Sequence, residues 1–131
     1  MLRPKGILGM IWNFQDRSVS WIKTIGEILD VKFNEKRIPR SRDKDWHVKM
    51  EEHCGFGPLH EEDSYRHSMG LDLEGLLERF KSVSVVSGAE GGEREAILSK
   101  IKNVMKTNPD VKDQEKYSYK SLVHIEWVQK N

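Results

Sequence analysis

The sequence predicts one α/β domain, and three segments carry that expectation. Ile7 to Trp12 is a short continuous apolar run bounded by polar residues, which suits a strand buried on both faces. After it, Trp21, Ile22, Ile25, Ile28 and Leu29 recur at helical spacing and form one apolar stripe. Near the end, Ser121 to Val128 alternates enough to be a closing strand with one better-buried face. Strand, short loop and packed helix in succession make an α/β unit. A chain of 131 residues has room for one such domain, spanning 1–131.

The elements follow in order. Met1 to Gly6 is a turn-like lead-in containing Pro4 and Gly6. The helix predicted from Ser18 to Asp30 has Asp16 or Ser18 in place to cap it. Lys32 to Lys49 is polar and irregular, and Lys32, Lys36, Arg37, Arg40 and Arg42 face only Glu35 in its first half. It has neither a glycine loop nor an aromatic stacking pair, so it reads as solvated surface rather than a phosphate or nucleic-acid contact. Residues 32–63 are thus expected to form a surface insertion or cap loop. Gly55-Phe56-Gly57-Pro58 marks a turn. Ser64 to Leu71 reads as a strand, and Leu71, Leu73, Leu76, Leu77 and Phe80 trace a short helix. Ser82 to Val86 is β-branched and reads as a weak strand. Glu93 to Thr107 is the clearest helix, with Ile97, Leu98, Ile101, Val104 and Met105 on one side and Asn108-Pro109 ending it.

Composition narrows the function classes. Twenty-two Lys and Arg against 21 Asp and Glu leave a net charge of +1, which removes any global attraction to nucleic acid or an anionic membrane. With 33% charged and 37% hydrophobic residues the core should be thin. No window approaches the roughly 18–20 apolar residues of a membrane span. The single cysteine, Cys54, excludes an internal disulfide, and without a secretory leader pattern a reducing, cytoplasmic setting fits.

Two patterns suggest chemistry and are set aside. His47, His53, Cys54, His60 and His67 cluster in the middle third, but at gaps of six or seven residues. Zinc ligands usually come in closer pairs, so these read as loop residues and no metal is assigned. Cys54 likewise has no nucleophile signature, and no catalytic residue is assigned. The glycine-rich stretch from Ser84 to Glu93 matches neither G-x-G-x-x-G nor a P-loop, and Glu90 and Glu93 would repel a phosphate. It reads as a helix lead-in with Ser87 and Glu90 at capping-box spacing, and no cofactor-binding residue is assigned.

The order of motifs carries more. Leu2-Arg3-Pro4-Lys5-Gly6-Ile7-Leu8-Gly9-Met10-Ile11-Trp12-Asn13-Phe14-Gln15-Asp16 resembles a Leu-(Arg/Lys)-Pro-Gly-Gly lead-in, a buried strand and an Ile-Trp-Asn-x-x-Asp ending. That series is found in a branch of the class I S-adenosylmethionine-dependent methyltransferases. Trp21-Ile22, Phe56-Gly57-Pro58-Leu59, His67, Ser82-Val83-Ser84 ahead of Glu93-Arg94-Glu95, and Tyr119 to Trp127 continue the series. The chain thus resembles the trans-aconitate-methyltransferase-like group over nearly its whole length, with Lys5 in place of the first glycine.

The resemblance implies a partial Rossmann-like methyltransferase fold containing the later strands and helices only. The first strand would be the family's fifth and the last two an antiparallel pair at the sheet edge. It implies S-adenosylmethionine as cofactor and a small-molecule methyl acceptor. The family's glycine-rich loop and cofactor-binding acid precede this lead-in and have no match here, so the chain alone is expected to be inactive. Ligands of open α/β sheets sit beyond the carboxyl ends of the strands. That rule nominates Trp12 and Asn13 as acceptor-binding residues, with His67 from the acceptor-side strand. The rival expectation is a non-enzymatic interaction module. It would associate through an exposed strand edge, as a homodimer or with a separate N-terminal segment.

Overall fold

The computed structural model describes residues 2–43 and 45–131; Met1, in the lead-in, and Lys44, in the polar stretch, lie outside the described residues. Three strands, β1 (Ile7–Gln15), β2 (His60–Leu71) and β3 (Tyr117–Gln129), form one antiparallel sheet in the order β1-β3-β2. Five helices complete the described residues: α1 (Ser20–Glu35), α2 (Asp45–His53), α3 (Leu73–Lys81), α4 (Ser84–Ser87) and α5 (Glu93–Thr107). The α/β class is as the sequence predicts. The chain divides into two compact units. The first comprises Met1–Phe14, Pro39–His67 and Leu122–Asn131, and the second Gln15–Ile38 and Ser68–Ser121. None of the described helices is long and apolar enough to cross a membrane.

The second unit holds the apolar core. The stripe of α1 delivers Trp21, Ile22, Ile25 and Leu29 to it, α3 adds Leu76 and Phe80, and α5 adds Ile97, Ile101, Val104 and Met105. Tyr117 and Tyr119, at the start of β3, lie against Trp21 at ring distances of 6.2 Å. The expected cap of α1 does not form. Its N-cap is Val19, and Asp16 instead accepts hydrogen bonds from the Ser18 amide and hydroxyl, tightening the preceding turn. α3 is capped by Asp72, whose carboxylate accepts from the Gly75 amide at 2.8 Å.

Ser82 to Val86 is not a strand. Val85 and Val86 are both buried, and consecutive strand residues would point to opposite faces. One turn of helix, α4, sends both into the same core, and that packing overrides the β preference of valine. The capping box ahead of α5 does not form either. Gly92 is the N-cap, while the Ser87 hydroxyl donates to the Ser84 carbonyl.

In the first unit, the Lys130 amide donates to the Gly6 carbonyl. Where the ladder passes into the second unit, the Asp16 amide donates to Lys120 at 3.0 Å. This antiparallel register puts Trp12 opposite His124 and Met10 opposite Glu126. Lys5, at φ 62°, also donates its amide to Lys130, so two residues face one and the strand begins on a bulge. The expectation that β1 is buried on both faces is overturned. Its residues alternate between exposed and half-buried, with Ile7 61% and Ile11 68% exposed, because it is an edge strand with one open face in this chain. The stretch 32–63 is less irregular than expected. α1 runs on to Glu35, and α2 forms although none of its residues is fully buried.

Candidate functional site

Alternation along β3 places His124 and Glu126 on one face, and the register with β1 puts Trp12 and Phe14 on that face too. The rings confirm it: His124 lies 6.1 Å from Trp12 and stacks on Phe14 at 5.1 Å. From β2 come Glu61 and Asp63, also two residues apart and therefore co-facial. From α2 come Trp46, 5.9 Å from Trp12, and its neighbour His47. The Trp46 indole is held by a hydrogen bond to the Ser41 carbonyl at 3.3 Å. Phe14, His47, Glu61, Asp63, His124 and Glu126, together with Arg42, whose guanidinium lies over Phe14, line a cavity of about 320 Å³ within the first unit, and Trp12 and Trp46 pack beside it.

Its electrostatics centre on His124. One ring nitrogen, Nδ1, is bonded to Asp63, and the other, Nε2, lies 2.7 Å from Glu126 Oε1 and 3.8 Å from Glu61. Burial pulls the imidazole pKa down, but the hydrogen bonds to Asp63 and Glu126 outweigh it and hold the pKa above its usual 6.5. Glu126 is only 2% exposed. Its second oxygen, Oε2, makes no hydrogen bond, and neither does the buried Nε2 of His47, although the two atoms lie 3.3 Å apart. The cavity is lined by Arg42, His47 and His124 together with the carboxyl groups of Glu61, Asp63 and Glu126. It can hold a cation or a small polar molecule, and it has carboxylates in place to take up a proton.

The structure divides the acceptor candidates between two faces. Trp12 joins the aromatic wall beside His124, whereas Asn13 and His67 line a separate shallow depression with Tyr65, Arg66, Val123 and Ile125. Adjacent strand residues diverge in this way by geometry alone. Of the clustered residues of the middle third, only His47 enters the cavity. His60 stacks on Trp127, while His53 and Cys54 are exposed. Sequence reasoning does not find His124 and Glu126, which are polar positions of an alternating strand, nor Glu61 and Asp63, which fall in the stretch 32–63 expected to be a loop although β2 begins at His60. The available signal was a His-x-Glu pair in one strand and a Glu-x-Asp pair in its neighbour.

No protein-family model matches the chain. A protein of Schizosaccharomyces pombe described as an uncharacterized methyltransferase-like protein is 30% identical over 124 residues, 93% of this chain. The relationship is to a methyltransferase-like protein. The chain spans about half of that relative, 47% of its length.

The residues present do not suit S-adenosylmethionine, the cofactor the resemblance implies. The glycine-rich stretch lies between α4 and α5 rather than after a strand, with Glu90 and Glu93 beside it. Among the described residues no strand, glycine loop and helix succeed one another as a nucleotide cradle requires.

Proposed function

We propose that this chain is the acceptor-side portion of a methyltransferase-like protein related to the S-adenosylmethionine-dependent trans-aconitate-methyltransferase-like group, with the later elements of a Rossmann-like fold. The observation that carries the reading is the 30% identity to a methyltransferase-like protein along 93% of this chain. Methyl transfer requires donor and acceptor to be held in line at about 3 Å. In this reading the chain's part is to hold the acceptor, and the cavity beside His124 is the place for it. Its volume of about 320 Å³ lies in the range of small-molecule sites. Phe14 and Leu122 supply an apolar wall there, with Trp12 and Trp46 packed beside it. The carboxyl groups and His124 orient the polar groups of the acceptor.

The test is calorimetric titration with S-adenosylmethionine. The chain alone is expected to bind no tighter than about millimolar, the level of a few unorganised contacts. Mixed with the part of the S. pombe relative outside the matched segment, it is expected to bind in the micromolar range. Micromolar binding by the chain alone, or none by the mixture, counts against the acceptor-side reading.

A second reading, an interaction module without catalysis, is favoured by the open sheet. β1 and β2 are both edges within this chain, every residue of β2 from His60 to Gly70 is exposed, and Ile7, Ile11 and Tyr65 expose large apolar surface. Sedimentation distinguishes it: self-association abolished by Ile7→Lys/Ile11→Lys supports the module, and a monomer speaks against it.

A further inference from the structure

We propose that His47, Glu61, His124 and Glu126 form a binding site for one divalent transition-metal ion of the zinc type. Three of the four donors already converge, and the fourth, His47, lies against one of them. One ligand atom each from Glu61, His124 and Glu126 lie within 4.8 Å of one another, and His47 Nε2 is 3.3 Å from the outer oxygen of Glu126. Donors about 2.1 Å from a tetrahedral ion sit roughly 3.4 Å apart. The separations of 3.3 Å (His47 to Glu126 Oε2) and 3.8 Å (His124 to Glu61) are near that value, and the 2.7 Å between His124 and Glu126 Oε1 has to widen.

Two buried atoms without partners point to a ligand. Glu126 Oε2 and His47 Nε2 are shielded from solvent and make no hydrogen bond, the His47 side chain being 10% and that of Glu126 3% exposed. Native proteins rarely leave buried polar atoms this way, and an ion between the two groups satisfies both. Asp63 adds the support such a site needs. By accepting the hydrogen of His124 Nδ1 it fixes the ring and leaves the Nε2 lone pair facing Glu61 and Glu126. Two imidazoles with two carboxylates favour zinc or its neighbours over magnesium or calcium, which take oxygen ligands. The four ligands come from α2, β2 and β3, far apart in sequence, so close-spaced zinc patterns do not reveal them. The site stands whether or not the methyltransferase reading holds.

The experiment is a zinc titration by calorimetry on chelator-stripped Cys54→Ser protein, which removes the exposed thiol as a competing ligand, with cobalt as a spectroscopic probe. One equivalent of zinc is expected to bind at micromolar concentration or below, and cobalt to show ligand-field bands of a nitrogen- and oxygen-ligated site. His47→Ala and Glu61→Gln, neither in the apolar core, are each expected to weaken zinc binding at least tenfold. Asp63→Asn, which acts on His124 alone, should weaken it about 10- to 100-fold. Absence of saturable zinc binding at about 100 μM, unchanged affinity in His47→Ala and Glu61→Gln, or equal binding of magnesium would each overturn the proposal and leave an ion-pair network in its place.

Discussion

The two units are built on opposite terms. In the second, the best-buried side chains are Ile22, Ile25, Leu76, Phe80, Ile97 and Ile101, all apolar and packed by three helices. In the first, Val128 is joined by Glu126 and His124 as the most buried side chains, and one strand has no residue buried at all. One unit is therefore held by the removal of hydrocarbon from water. The other depends on a hydrogen-bonded ladder and a polar cluster, whose net contribution is small unless every group is paired. Apolar and polar buried side chains are thus separated along the chain.

The largest expected effect tests that contrast directly. Phe80→Ala should cost about 3–5 kcal/mol, as deletions of fully buried aromatics do. Phe14→Ala, at a half-buried cavity wall, should cost roughly 1 kcal/mol. Urea unfolding of both variants checks this, and equal losses would erase the distinction between the units.

Next in size is the polar cluster. His124→Leu leaves Glu126 buried without its hydrogen-bond partner and should cost about 3 kcal/mol in metal-free protein. The double variant His124→Leu/Glu126→Leu should be more stable than that single variant, since an apolar pair of similar volume replaces a charge that has lost its partner. A double-mutant cycle by thermal unfolding measures the sign, and additive losses would refute the coupling.

The same contrast explains what could be read from sequence. Helices that meet an apolar core display their periodicity, so the sequence marks α5 at its limits, Glu93–Thr107, and four of the five residues of the α1 stripe are buried, with Ile28 half-buried. α2 was missed because it covers no core: Trp46, Val48 and Met50 do not make a stripe. α4 was misread because a tertiary demand, two adjacent valines in one core, defeats local preference. In the site, His47 was in view but its partners were not. Whether His124 faces water or Glu61, Asp63 and Glu126 depends on strand pairing, which alternation alone does not encode.

Two smaller effects sharpen the comparison on the apolar side. Asp72→Ala removes the α3 cap and should cost about 1 kcal/mol, with the melting midpoint falling by a few degrees. Last comes Glu93, whose pKa is held below its ordinary 4.5 chiefly by the hydrogen bond from Lys36, with Lys32 adding to it. A depressed carboxylate stabilises the folded state above its unfolded pKa and loses that effect as pH falls through the folded value. The difference between the wild type and Glu93→Gln should therefore be fully present at neutral pH and be lost as pH falls below 4.5 and through the lowered folded value, and it should shrink in high salt.

The pairing of β1 with β3 has a consequence for biogenesis. β1 ends at Gln15 and β3 begins only at Tyr117, yet β3 is its hydrogen-bonding neighbour in the sheet. At roughly 5–20 residues per second, translation leaves β1 waiting some 5–20 s before β3 emerges. Through that interval Ile7, Ile11 and the intervening backbone are available to any other strand. Ribosome-stalled chains ending before residue 117 should accordingly recruit chaperones at this segment, and chains extended past residue 129 should release them.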